Sequence, residues 1–150
     1  MKAFSSLLAA FTFACSVFCQ SGLPEYGRLD DIKGVRTYYV TAANALDRDL
    51  MLRELKKLDG YTNSDSAEGA DFVIEYKTLS RDTMGVMLGG TGLSLPIETG
   101  QIDVYLYRDR KKVVLWSKSD MSGHAGKPGT PARYLAKKFV KDATKVIKEK

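Results

Sequence analysis

Apolar residues at every second position are what most restrict the folds open to this chain. Phe72, Ile74 and Tyr76 alternate with Val73, Glu75 and Lys77, and Ile102, Val104 and Leu106 alternate with Asp103, Tyr105 and Tyr107. A period of two gives a strand two unlike faces, so each run predicts a strand with one face in a core. A third apolar run, Val113-Val114-Leu115-Trp116-Ser117, lies across the polar stretch Asp109-Arg110-Lys111-Lys112, and the two are expected to form a hairpin. Upstream, residues 34–41 are rich in β-branched and aromatic types and read as a first strand. Tyr61 to Ser66 reads as a short strand or turn.

Two segments carry the helical period instead. Leu46, Leu50, Met51, Leu55 and Leu58 make one apolar stripe, with Asn44 placed to cap the first turn, Asp47 to complement the positive end of the dipole, and Gly60 to end the helix. Thr130-Pro131 opens the second, where Leu135, Phe139, Ala143 and Val146, flanked by Ala136, Val140 and Ile147, run to the C-terminus. This order predicts an α+β fold, a two-layer sandwich of a mainly antiparallel sheet with two helices on one face, as a single domain over residues 34–150. If the first strand and the next long one are parallel, the helix between them makes a right-handed crossover.

The chain begins with Met1-Lys2 and an uncharged apolar run over residues 3–11, the plan of a signal peptide, here assigned to residues 1–19. Such a run is too short for about 30 Å of hydrocarbon, which takes roughly 20 apolar residues. Cleavage after Cys19 would remove both Cys15 and Cys19 and leave a mature chain with neither thiol nor disulfide. A lipid-modified cysteine is the competing reading; Thr12-Phe13-Ala14-Cys15 lacks the branched aliphatic residue such a site carries, and Phe18 before Cys19 is large. Residues 20–33 read as a leader. The expected location is the periplasm or cell envelope.

Residues 133–150 hold seven of the 23 Lys and Arg but only two of the 18 Asp and Glu, so this segment alone accounts for the net charge of +5. With the apolar stripe inward, Lys137, Lys138, Lys141, Lys145 and Lys148 form a basic stripe, either a solvated face or a surface for anionic lipid headgroups or an acidic partner.

Val35 through Val40, Leu46 to Gly60, Ala70-Asp71-Phe72-Val73-Ile74, Gly100 to Leu106, and Val114-Leu115-Trp116 before a basic terminal helix together resemble a bacterial family of small envelope proteins of unknown function, most of them predicted lipoproteins with a sheet-and-helix domain. The likeness spans residues 33–148. It implies the fold and an envelope location, and it transfers no catalytic residue. The chain departs from the pattern in its poor lipidation cysteine and in the long glycine-rich stretch between residues 81 and 100.

That stretch is the most unusual in the sequence. It contains Gly85, Gly89, Gly90 and Gly92 but no Lys-Ser or Lys-Thr and no helix start, so it is not a phosphate loop. It reads either as a flexible apolar loop, with Met84, Met87, Leu88, Leu93 and Leu95 offered to a partner, a lipid or another copy in a homo-oligomer, or as an extended hairpin packed on the domain's own sheet. Tyr105 and Tyr107, on the outer face of the following hairpin, are further binding candidates. His124 is the one histidine and lies in Ser122-Gly123-His124-Ala125-Gly126, a loop composition. No partner set for a metal and no Gly-x-Ser-x-Gly elbow accompanies it, so the expectation is no metal, no cofactor and no catalysis. The expected partner is an envelope protein or lipid surface and not a nucleic acid, from which export separates the chain. A hydrolase centred on His124 is the alternative.

Overall fold

The computed structural model describes residues 24–88, 91–125 and 130–149, with residues 81–96 and 121–125 described by their backbone alone. The signal peptide assigned to residues 1–19 lies outside the described residues, as do residues 126–129 beside His124.

The elements run β1 (Glu25–Tyr26), a 3-10 helix (Leu29–Gly34), β2 (Thr37–Ala42), α1 (Ala45–Leu55), β3 (Thr62–Asn63), β4 (Phe72–Leu88), β5 (Thr91–Arg108), β6 (Lys111–Ala125) and α2 (Thr130–Lys148). The strands form one sheet in the order β1-β6-β5-β4-β2-β3. β4, β5 and β6 are antiparallel neighbours, whereas β1 runs parallel to β6, and β2 parallel to both β3 and β4. The sheet is therefore mixed, and the mainly antiparallel sheet expected is matched in part: a long antiparallel centre carries parallel strands on both flanks. The physical reason is the crossover from β2 through α1 to β4, which brings the chain back in the same direction.

Alternation in β4 and β5 sorts as the period of two requires. Phe72, Ile74, Tyr76, Ile102, Val104 and Leu106 join Met51, Leu55, Leu135 and Phe139 in the main core, while Val73, Tyr105 and Val114 form a separate cluster with Tyr39 on the opposite face. Both helices thus cover the same face. The run Val113 to Trp116 breaks alternation through a bulge. Val104 pairs with Trp116 and Tyr105 with Val114, which leaves Leu115 as the extra residue and lets both Leu115 and Trp116 reach the main core. The turn between β5 and β6 is two residues, Asp109 and Arg110, with φ of 51° and 63°. These left-handed values match the strand twist of a tight hairpin.

The leader is not inert. β1 pairs with Val113 and Val114, and Ile32 of the 3-10 helix is wholly enclosed, its carbonyl accepting a 2.6 Å hydrogen bond from the Tyr61 hydroxyl. α1 is also rotated from the stripe read in the sequence. Its buried residues are Asp47, Met51, Glu54 and Leu55, while Leu46 is exposed.

The glycine-rich stretch is no loop. Residues 80–88 pair with 91–99 in register, Met84 opposite Leu95 and Val86 opposite Leu93, so β4 and β5 continue as a ribbon far past the part of the sheet that β2 borders. The apolar residues that suggested an adaptable loop are the alternating positions of paired strands. His124 likewise lies in β6, with Glu98 of β5 as its register partner.

Candidate functional site

Three surfaces can be built from these elements. The first is the ribbon. Along β5 the alternation is unbroken against β4, so positions 93, 95 and 97 share the parity of Asp103 and Tyr105; Val86, Met84 and Asp82 are their register partners. The one irregularity lies in β4, where Leu79 is the extra residue between Thr78 and Ser80. From Thr83 to Ile97 the sequence has no charged residue, and β6 has its last partner at Ile97. Among the described residues the ribbon tip is therefore two strands wide, and its sequence is uncharged and apolar at most positions of one parity. Of the binding candidates, Met84, Leu88, Leu93 and Leu95 or their partners lie along this ribbon, with Met87 on its other parity.

The second surface is the face of the sheet opposite the helices, nearer the domain. Tyr105 is buried there: it packs with Val73 and Val114, and the Lys112 ammonium lies 3.7 Å from its ring centroid. Burial pushes its hydroxyl up to about 12, helped by the nearby Glu75 charge. Tyr107, edge-on to it at 5.7 Å between centroids, is 64% exposed and is the accessible member of the pair. Beside them Glu75 is bridged by Lys77 at 3.1 Å and Lys112 at 3.2 Å. Asp103 accepts from the Ser117 hydroxyl at 2.6 Å and from Gln101 Nε2 at 2.7 Å. Burial by itself would raise the Asp103 carboxyl; these bonds and Lys77 outweigh it and hold the group below the ordinary carboxylate range. This face satisfies its own charges and offers Tyr107 at its rim.

The third surface is α2. Lys137, Lys141, Lys145 and Lys148 are exposed, and Lys138 is half-buried with its ammonium 5.9 Å from the Tyr134 ring centroid. At 100° per residue these five fall within about 100° of the helix circumference. Their sole carboxylate partner among the described ion pairs is Glu149, 3.8 Å from Lys145.

Sequence reasoning missed the buried carboxylates. Glu54 is 3% exposed and is held by the Arg133 guanidinium at 2.9 Å and by the Lys57 ammonium, which together keep its carboxyl low. Glu98 accepts a 3.3 Å hydrogen bond from the Tyr76 hydroxyl, whose own proton is held far more tightly than usual by burial and by the charges of Glu98 and Asp47. Gly100 is required beneath that ring, since a Cβ there would lie 2.5 Å from Tyr76 Cε2. The signal for Glu54 was present: an acid at the i+3 position from Met51, inside the apolar stripe. Among the described residues no group of three or more His, Cys, Asp or Glu is disposed to hold a metal ion, and no helix is long and apolar enough to cross a membrane.

No known family model matches the chain, and neither does any curated protein. Among solved structures it is similar to a DUF4136 family protein from Bacteroides thetaiotaomicron, at 12% identity and a TM-score of 0.45 over 86% of this chain and 96% of that one. A hypothetical protein from Chlamydia trachomatis matches at 11% identity and 0.45 over 74% and 94%, and a minor lipoprotein from Acinetobacter baumannii at 9% and 0.37 over 76% and 93%. These bacterial proteins are similar in outline. At such identities and scores the likeness carries no residue role, partner or activity to this chain.

Proposed function

We propose that the chain is an exported, non-catalytic protein of the bacterial envelope that binds another envelope component through the β4–β5 ribbon. The observation that carries this reading is the uncharged ribbon itself, which continues past the part of the sheet that β2 borders, with Met84, Val86, Leu93 and Leu95 as cross-strand pairs of one parity. A two-stranded hairpin by itself is marginal in water, and an apolar stretch of this kind gains most by being covered. The apolar N-terminal run supports export, and the basic α2 stripe supports a site near anionic headgroups. A photoreactive residue at Val86 or Leu93, placed in the full chain in cells, should cross-link to an envelope component. Cross-linking no stronger than from the exposed Lys56 on the opposite layer would overturn the reading.

One observation favours the alternative of a hydrolase: the β6 register sets His124 opposite Glu98, which itself binds Tyr76. His124→Ala should abolish a measured hydrolytic activity while leaving the melting temperature unchanged if this pair is catalytic.

A further inference from the structure

At the start of α2 the basic stripe opens into a cleft against α1. The cavity is about 190 Å3, and its lining includes Glu54 of α1, Lys57 just beyond it, and Arg133, Tyr134 and Lys137 of α2. Glu54 is buried, whereas the side chains of Lys57 and Arg133 that hold it are 61% and 65% exposed. Arg133 donates through Nε to Glu54 Oε1, and the Lys57 ammonium donates to Oε2. Each cation is thus fixed by one bond to a sunken carboxylate and keeps further N–H groups on its solvent side. Lys137 follows Arg133 by one helical turn and so shares its face of α2. Among the described residues lining the cavity, three cations surround one carboxylate, which leaves two positive charges unbalanced. The first turn of α2 adds to the imbalance: it holds no acidic residue, and Arg133 closes it, where a cation opposes the positive end of the helix dipole.

We propose that this cleft binds a dianionic phosphate group, carried on a lipid headgroup or free in solution. The inference goes beyond the ribbon reading and does not depend on it. A phosphate monoester carries close to two negative charges at neutral pH and three acceptor oxygens, which match the two unbalanced charges and the three cations. A carboxylate would neutralise half of that charge. Arginine beside lysine is the donor set that suits phosphate, the guanidinium giving a planar fork and the ammonium a point charge. The volume is well below the roughly 300–1,000 Å3 of pockets that enclose a whole small molecule, so the cleft takes the head of a ligand and leaves the rest outside. Glu54 positions the site: it aims two of the cations in advance, which lowers the cost of ordering them on binding.

The test is a titration of inorganic phosphate with the exported full chain, followed by phosphorus NMR at constant ionic strength. The perturbation should saturate, and Lys137→Gln should weaken binding about tenfold or more, the loss of one charge-assisted bond. Lys145→Gln removes the same charge about 12 Å further along the helix, beyond the screening length of roughly 10 Å at 0.1 M salt, and should change binding less than about twofold. Arg133→Gln leaves buried Glu54 with one partner fewer and can unfold the chain, whereas Lys137 has no bond to Glu54, so its variant decides the matter once circular dichroism shows it folded. Vesicles separate the two sources. Preference for phosphatidic acid over phosphatidylglycerol at equal surface charge, reversed by inorganic phosphate, assigns the site to a lipid; saturable phosphate binding without that preference assigns it to a free phosphate. No saturable binding of phosphate, or equal weakening by Lys137→Gln and Lys145→Gln, would overturn the inference. Acetate bound as tightly as phosphate would also overturn it, in favour of a protein carboxylate.

Discussion

Trp116 shows how much a single side chain does here. Its ring meets Phe139 edge-on at 5.4 Å between centroids, and its indole Nε1 donates to Asp142 Oδ2 at 3.1 Å, so β6 is tied to α2 by both packing and a hydrogen bond. Trp116→Ala should cost about 3–5 kcal/mol in a denaturant titration. A loss below that range would show that the cavity collapses or the ring is less enclosed than its 9% exposure implies. Gly100 tests the opposite error. Gly100→Ala forces Tyr76 aside and should cost about 1–3 kcal/mol, and a double-mutant cycle with Tyr76→Ala should show strong coupling, because removing the ring removes the clash. Asp71 offers a pH test. Its carboxylate accepts from the Arg36 amide at 2.9 Å and from the Thr37 amide and hydroxyl at 2.8 Å each, which hold its pKa below the ordinary value. The unfolded chain therefore takes up the proton first as pH falls. The stabilisation is complete above the ordinary aspartate pKa of about 4 and is lost as pH drops through the folded value. Asp71→Asn should flatten the acid limb of a stability curve measured by urea titration at successive pH values, and an unchanged limb would refute the assignment.

At the level of elements, what could be read depended on whether a pattern was local. The α2 stripe was legible because Leu135, Phe139 and Ala143 recur at helical spacing over an uninterrupted segment, and all three are buried. α1 was misread at Leu46 because the sequence shows polarity but not partners: Asp47 and Glu54 are tolerated inside, the first bonded to Asn44, the second paired with Arg133 from a helix about 80 residues away. Bulges were equally hidden. The parity change at Leu79 and the extra Leu115 depend on the neighbouring strand, which local alternation does not specify. The Asp109-Arg110 turn could be placed, but not its left-handed backbone. Arg110→Gly should relieve that conformation and stabilise the hairpin by up to about 1 kcal/mol, read as a higher melting temperature. For α2, replacing Lys137, Lys141 and Lys145 with Gln should leave the circular dichroism spectrum intact. If the stripe meets anionic headgroups, the variant will sediment less with phosphatidylglycerol vesicles at low salt, and the parent will lose binding as salt rises; no binding by the parent would eliminate that role.

For the whole molecule, the distribution of support is uneven. The part of the sheet bordered by β1 and β2 is backed by α1, α2 and the 3-10 helix, whereas among the described residues the β4–β5 tip is paired by its own ladder. Amide exchange followed by mass spectrometry should therefore be faster in residues 83–88 and 91–96 than in residues 72–76 and 102–106 of the same two strands. Equally slow exchange along the whole of β4 and β5 would contradict this difference in backing. Ile32 adds a different lesson. A single isoleucine in an aperiodic segment gave no sign that residues 25–34 close the core, because the contact is made with elements distant in sequence. Pro96 was similarly mute. It lies one residue beyond the last β6 partner, where a missing amide no longer interrupts a central ladder.

The seating of Trp116 against α2 also gives the molecule its own optical probe. The chain has one tryptophan, and its indole touches the helix that joins last in sequence and carries all of the net charge. Its emission maximum will shift to the red when α2 leaves the sheet, whatever the ribbon is doing some distance away. A stopped-flow fluorescence trace therefore times the arrival of the C-terminal helix, and a titration with vesicles reports whether that helix stays docked when its lysines are engaged.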